Sequence, residues 1–528
     1  MKALVKLILI STVIVLSFKN ATGQVEPWSG FESSALLFSQ STYGGSARIQ
    51  GLGNAFTSLG GDISAASMNP AGLGFYNRSE ISFTPALNFQ NMTSDYLNTE
   101  TRDGKTNFNI ANLGLIFNNT KIEATSEGWR GGNWGISYNR TNNFNDRTVY
   151  QGENKTNDFI DWVLDESNFN NEIPLTDLSY ETFLINDYTI TEFSDTVFVG
   201  DYIVYDGTDT VHGVWDSFVS FTTPNNPTWQ LEEINTKGAQ NQWNFSYGGN
   251  FSDIFYFGAS LGINTINYES ERIYKEYRGE EDILDYSILS EKLRINGVGV
   301  NGTFGAIVRP VNILTLGISY VTPTIFTIDD ELTSTMNTVW RNSAFDYYGN
   351  EDGFSGDQLS TGETLASYYS LKTPQRVNVG VSVFAGKHGF ISADLEWVDY
   401  SQMNYNSLDQ NFDYENENIR DFYKSVTNIR IGGEYRNGIW RARGGYQLQG
   451  DPYNEVDDVK RSKNTVSAGT GIRLKNFYTD LSFLYLFYNT VQSPYSIDPE
   501  AVEFLGPTPV ADISNSAARL IFSIGFLF

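Results

Sequence analysis

Val377-Asn378-Val379-Gly380-Val381-Ser382-Val383, a turn at Gly386-Lys387-His388, and then Ile391-Ser392-Ala393-Asp394-Leu395-Glu396-Trp397 decide how this chain folds. Apolar side chains alternate with polar or small ones at a period of two, on both arms of a hairpin. Successive side chains of an extended strand point to opposite faces. One face of this hairpin is therefore apolar, and the other carries Asn378, Ser382, Asp394 and Glu396. Helical spacing would scatter the same valines around an axis. The period recurs where Trp440, Ala442, Gly444, Tyr446 and Leu448 alternate with Arg441, Arg443, Gly445 and Gln447. It recurs again where Val466, Ala468, Ile472 and Leu474 alternate with Ser467, Gly469, Gly471 and Arg473.

Outward from these stretches, the alternation rule marks about fourteen strands. They fall at 80–89, 107–118, 133–141, 242–252, 256–270, 293–309, 313–327, 373–385, 389–400, 425–436, 438–449, 463–475, 477–487 and 515–528. Most links from an even to an odd strand are tight turns: Ser252-Asp253, Pro310, Gly386-Lys387-His388, Asn437-Gly438 and Asn476. The odd-to-even links are long and polar, the longest running from Asn142 to Asn241. Short turns at one end and long loops at the other are the pattern of a transmembrane β-barrel. The last strand alternates through Leu520, Phe522, Ile524 and Phe526 to a terminal Phe528, an ending that resembles the signal read by the barrel-insertion machinery.

Composition agrees. The 528 residues include 48 Gly, 36 Phe and 31 Tyr but only 14 Pro and 5 Met, a mixture suited to many strands, tight turns and aromatic belts. Cysteine is absent, and the two histidines are His212 and His388. No disulfide framework or thiolate chemistry is available, and neither a metal site nor a cofactor is expected. Lys2 and Lys6 precede an apolar run from Leu7 to Leu16, and Ala21-Thr22-Gly23 supplies small residues before Gln24, so residues 1–23 read as a signal peptide. Without them the chain keeps 32 basic and 62 acidic residues, a net charge of −30. Nucleic acid is a poor partner at that charge. The acids concentrate in the loops, where solvation explains them better than cations shared with lipopolysaccharide. After residue 23 no apolar run is long enough for a membrane-spanning helix. A secreted chain that enters lipid without helices has to close a barrel.

Residues 24–78 have a different texture, rich in Gly, Ser and Ala and weakly alternating. They include Gly51-Leu52-Gly53-Asn54-Ala55-Phe56, then Asp62, then Asn69-Pro70-Ala71-Gly72. A compact segment ahead of the first strand is expected to fill the lumen, because a wall of this size encloses space. The Gly-x-Gly lacks the strand–loop–helix context and the following Lys of a phosphate loop.

This stretch resembles the hatch of the long-chain fatty-acid transporter family (FadL-type, OmpP1/TodX). Thr373-Pro374-Gln375-Arg376-Val377, Ala393-Asp394-Leu395-Glu396-Trp397 and the run from Leu481 to Phe487 are similar as well. The resemblance implies an all-β, fourteen-stranded antiparallel barrel over residues 79–528 with an N-terminal hatch at 24–78. It implies a cell outer-membrane protein that binds hydrophobic molecules near its outer loops and releases them through a gap in its wall. The family places a kink in the third strand, here beginning Gly131-Gly132-Asn133-Trp134; an ordinary turn suits those glycines better. The 142–241 loop is very long for the family.

Alternation puts Asp394, Glu396, Arg430, Glu434, Arg441, Arg443, Arg473, Asp480 and Arg519 on the lumen face. Arg430, Arg441, Arg443 and Arg473, with Phe384 and Leu484, are the candidates for holding an amphipathic ligand. An ion-pair network joining wall and hatch is the expectation they compete with, and the stronger one. Three functions remain: a passive channel for hydrophobic compounds, a docking or receptor barrel using the long loop, and an outer-membrane hydrolase. The last is disfavoured because His388 falls in a tight turn and His212 in an outer loop.

Overall fold

A sheet with one apolar and one polar face has no stable edge in lipid, because unpaired backbone groups there cost several kcal/mol each. In the computed structural model of the chain the sheet closes on itself. The structure describes residues 30–40, 44–120, 128–169, 174–190, 198–199, 202–203, 215–220, 222, 227–341, 358–454, 459–498 and 501–528. The expected signal peptide at 1–23 and His212 lie outside them.

The wall strands are β1 (Glu80–Tyr96), β2 (Thr99–Thr120), β3 (Trp129–Asn143, continued by Asp146–Asn154), β4 (Thr228–Phe251), β5 (Phe255–Tyr277) and β6 (Leu284–Val311). They continue as β7 (Leu314–Val321 and Ile325–Trp340), β8 (Gln358–Lys372 and Arg376–Phe384), β9 (Gly389–Asp399, then Asn404–Asn406) and β10 (Ser425–Asn437). The wall ends with β11 (Trp440–Gln449), β12 (Lys463–Arg473), β13 (Phe477–Gln492) and β14 (Ala511–Leu527). The sheet therefore has fourteen strands, all antiparallel to their neighbours. It closes where β1 pairs β14, from Glu80↔Leu527 to Tyr96↔Ala511.

The predicted alternation holds along the walls: Val379, Val381, Val383, Ile391, Leu395 and Trp397 face out, while Asn378, Ser382, Ser392, Asp394 and Glu396 are buried. The interruptions of β7 and β8 fall at Pro323 and Pro374, residues without an N–H for the ladder. There Thr324 N donates to Thr373 Oγ1 (3.0 Å) and Thr373 N to Thr324 O (2.9 Å), joining the two breaks side by side.

Several strands run past the ends that alternation suggested. β1 and β2 meet in a tight turn at Leu97 and Asn98, both at positive φ, and β5, β6, β7 and β8 extend far into the regions read as loops. The reason is chemical. Above the apolar belt the outward positions become polar: Lys237, Asn267, Glu269, Glu271, Lys292 and Arg294. Their ion pairs (Lys237–Glu269 2.7 Å, Lys292–Glu269 2.9 Å, Arg294–Glu331 3.3 Å) form a charged collar on strand. Hydrogen bonds from Lys237 and Lys292 hold the Glu269 carboxyl down at about 2. The long link after β3 also holds structure, namely the continuation of β3 and the helices Phe159–Phe169 and Pro174–Glu181. These helices pack with Tyr274, Leu289, Met336, Trp340 and Tyr495 into a second apolar core above the collar.

Candidate functional site

Residues 44–76 lie inside the ring of strands, and their hydrogen bonds reach the wall on opposite sides. Ala47 N donates to Ser523 Oγ (2.7 Å), Ser482 Oγ to Ala47 O (2.6 Å), Ser246 Oγ to Ala66 O (2.9 Å), and Asn133 Nδ2 to Leu73 O (2.7 Å). The Asp394 carboxylate accepts from both Phe56 N and Thr57 N at 2.7 Å. Small wall residues permit this approach. A Cβ at Gly432 would lie 2.1 Å from Leu52 O, and one at Gly317 would lie 2.2 Å from Thr57 O.

The hatch-like residues owe their identities to this packing. Gly51 closes the short helix Ala47–Gln50 against Ser482. Gly53 adopts φ +62° against the Tyr446 backbone, and Asn54 follows at φ +61° with its amide on Gln447 Oε1 (3.2 Å). Asp62 accepts from Ser46 Oγ, Ser64 N and Ser64 Oγ, tying the two halves of the segment together. Asn69 Nδ2 donates to Thr57 O (2.7 Å) and Ile318 O (3.2 Å), while its Oδ1 caps Ala71 N at the start of the turn Pro70–Phe75 that contains Gly72.

A chain of charges joins this segment to the wall: Asp62, Arg48, Glu434, Arg443, Asp480 and Arg473. Arg430 pairs with Glu396 (2.8 Å) and reaches Asn378 (3.2 Å). Arg441 lies at the tight-turn end, donating to Gly438 O and Trp440 O. Phe384 packs on Phe390, and Leu484 on Ala47, Ala86, Ala111 and Ile521. None of these six ligand candidates lines the cavities described below. Arg430, Arg443 and Arg473 are spent on carboxylates.

The wall itself parts between β2 and β3. Their ladder runs only from Asn112↔Asn139 to Thr120↔Gly131. Above it β2 stays paired with β1 and β3 with β4, and β3 shifts register between Arg140 and Asn142. The glycines Gly131 and Gly132 are paired on both sides at the other end of β3, so the separation does not begin at them. Phe108 and Ile110, above the last β2–β3 pair, still face out, which sets the parting in the upper part of the apolar belt. A reciprocal amide pair bridges it: Asn107 Nδ2 to Asn143 Oδ1 (3.1 Å) and Asn143 Nδ2 to Asn107 Oδ1 (3.2 Å).

Cavities flank this bridge. Inside lies one of about 300 Å³, lined by Leu37, Gln40, Gln90, Asn143, Lys463 and Tyr488 among others. Outside lies a depression of about 540 Å³, lined by Asn107, Phe108, Arg140, Asn145 and Lys237 among others. Tyr268 touches both. Beside the inner cavity the helix Phe31–Ser39 packs its Ala35, Leu36 and Phe38 against Phe144, Ile266, Leu293, Phe326 and Tyr369, an apolar chamber built on inward wall positions. The sequence missed this chamber and the cavity. Lys463 has the inward parity, but no pattern tells whether a carboxylate sits beside it.

Above the collar, Arg272 pairs with Glu232 and Glu291, and Arg278 with Asp158, Asp282 and Glu276. Glu276 also accepts from Phe159 N (3.1 Å) and Gln230 Nε2 (3.0 Å), pinning the 159–169 helix to β4 and β5. Burial pushes the carboxyls of Glu276 and Glu232 up to about 7, against the pull of the arginines.

A closed antiparallel wall of fourteen strands with an apolar exterior, a polar interior and a packed N-terminal segment defines an outer-membrane-type β-barrel. No protein-family description matches the chain, and no curated protein matches it. Among solved structures it is similar to a Pseudomonas aeruginosa FadL homologue, at 11% identity and TM-score 0.51, covering 92% of this chain and 99% of that one. The P. putida toluene transporter TodX and the Ralstonia pickettii toluene transporter TbuX each give TM-score 0.48 at 12% identity, with 92% and 99% covered. The first of these likenesses establishes that the chain has the FadL-type fold.

Proposed function

We propose that this protein is an outer-membrane channel for passive uptake of hydrophobic small molecules. They would enter from the loop end, rest in the inner cavity and leave sideways between β2 and β3. The observation that carries this reading is the parted ladder, with a cavity on each side, spanned by the Asn107–Asn143 amide pair and, further up, by Lys105 on Asp146 O and the Arg147–Asp103 ion pair. Sideways release spares an apolar ligand the return to water, which would cost about 0.8 kcal/mol per exposed CH₂. A straight path through the barrel is occupied by residues 44–76, the hatch in this reading. Similarity to a FadL homologue, and to proteins described as toluene transporters, supports the substrate class.

In the same reading the chain is not an enzyme. It is exported by its first 23 residues, inserted by the barrel-insertion machinery acting on β14, and surrounded by outer-membrane lipid and lipopolysaccharide at the charged collar. A second reading, a docking or receptor barrel, draws on the outer loops, where Leu408, Tyr414 and Phe504 are exposed.

Small molecules extracted from the purified protein and identified by mass spectrometry test the first reading. Apolar or amphipathic compounds are expected. Protein that carries none, and that does not speed entry of dodecanol into proteoliposomes, would overturn it. A stable protein complex without bound lipid would favour docking.

A further inference from the structure

We propose that the tight-turn end of the barrel is a binding rim for anionic phospholipid, on which Arg78, Lys387 and Lys475 take the headgroup phosphates of the periplasm-facing leaflet. The inference rests on placement in an outer membrane and not on the uptake reading.

The sign of the charge is the first observation. The chain has 62 acidic residues against 35 basic ones, and the link from β9 to β10 alone carries Asp409, Asp413, Glu415, Glu417 and Asp421. The opposite end reverses the balance. A wall of fourteen strands has seven seats there, six links and the seam where β14 meets β1. Five consecutive seats each hold a cation: Arg309 at β6–β7, Lys387 at β8–β9, Arg441 at β10–β11, Lys475 at β12–β13 and Arg78 at the seam. Among the described residues none of these five has a carboxylate within ion-pair distance. Between β4 and β5, Asp253 is held by Arg130. Residues 121–127, between β2 and β3, lie outside the described ones.

The neighbours of these cations say what lies opposite. Arg309 is followed by exposed Val311 and Ile313, Arg441 is preceded by exposed Ile439 and Trp440, and Lys475 by exposed Leu474. At the seam Ser79, next to Arg78, exchanges two backbone hydrogen bonds of 3.0 Å with the exposed Phe528. Cations interleaved with large apolar side chains at the end of the lipid face suit a headgroup interface. Turns that docked a soluble acidic protein would have no need of exposed apolar residues.

Arg78 and Lys475 form the densest point. The Arg78 guanidinium donates to Lys475 O (2.7 Å) and Asn476 Oδ1 (3.2 Å), which brings it onto the turn that carries the Lys475 side chain. Arg78, Lys387 and Lys475 are all exposed. A guanidinium fork and an ammonium at one spot match a phosphodiester, whose free oxygens can accept from both. Beside them Phe477 packs on Phe526, with ring centres 5.2 Å apart, apolar surface for the acyl chains.

The test uses the full-length protein in a neutral detergent. Native mass spectrometry counts bound dioleoyl phosphatidylglycerol against dioleoyl phosphatidylethanolamine offered in equal amounts. Attraction to anionic lipid is about fivefold per cation near the surface. The wild type should therefore favour the anionic lipid by at least about fivefold, and by less at high salt. Arg78→Gln, Lys387→Gln and Lys475→Gln together should abolish the preference, and Arg78→Lys with Lys387→Arg and Lys475→Arg should keep it. Lys387→Gln with Lys475→Gln spares the Arg78 side chain and should lower the preference part of the way, a test that holds even if the triple variant does not fold. Lys292→Gln, in the collar, should leave it unchanged, and glycerol phosphate, which has no acyl chains, should not compete. Equal binding of the two lipids by the wild type overturns the proposal. So does a preference undiminished in the triple or the double variant, displaced by glycerol phosphate, or lost in Lys292→Gln. None of these outcomes bears on uptake.

Discussion

Removing the Asp394 carboxylate should free the interior segment while the wall stays closed. Asp394 lies on β9 and accepts two backbone N–H groups at 2.7 Å, from Phe56 and Thr57. A hydrogen bond to a charged acceptor contributes about 1.5–3 kcal/mol, and a buried donor left unmade costs a comparable amount. Asp394→Ala leaves two such donors unmade, so local opening should become easier by about 3–6 kcal/mol. At 1.4 kcal/mol per factor of ten, amide exchange at Phe56 and Thr57 should speed up by about two to four orders of magnitude. Asp394→Asn keeps one acceptor oxygen without its charge and should fall between. Hydrogen exchange read by mass spectrometry on peptides covering residues 50–60 measures this, with peptides from β5 and β6 as the control for an intact wall. Wild-type exchange at 50–60 in folded Asp394→Ala would refute the view that this carboxylate holds the segment.

Gly317→Val and Gly432→Val should push the same segment away from the wall, because the new side chains would collide with Thr57 O and Leu52 O. Raised conductance to small ions in planar bilayers is the expected readout. The outer headpiece should be more stable at about pH 5 than at about pH 8. The carboxyls of Glu276 and Glu232 are raised to about 7, so their contribution is full below the ordinary carboxyl range and is lost as pH rises through 7. Proteolysis of the 159–181 segment should accordingly quicken with rising pH, and a rate that is flat or falls would contradict this.

The wall was legible because lipid imposes its rule on every spanning residue. The outward valines of β8 and the inward Asp394 and Glu396 of β9 could be read by parity alone. Legibility stopped where the lipid stops. Beyond Ser270 on β5 the outward side becomes Glu271 and Lys275, charged like any loop, and the strand continues unannounced. The motif at residues 51–72 could be seen but not explained, since Gly53 answers to the Tyr446 backbone and Asn69 in part to Ile318 O, wall atoms hundreds of residues away. The lumen arginines were placed on the correct face. Their partners depend on which strands neighbour one another and on Arg48 from inside the ring, information carried by no single strand. Lys463 and the Asn107–Asn143 bridge were missed for the same reason.

The central claim is that ligands leave through the parting of β2 and β3. The chain has no cysteine, so the variant Asn107→Cys, Asn143→Cys can be joined by a short, cleavable bifunctional thiol reagent without background. Dodecanol entry into proteoliposomes should fall to the rate of empty vesicles when the bridge is complete and recover when it is cleaved, with each single cysteine variant unaffected. Undiminished entry through a fully bridged wall would contradict the account.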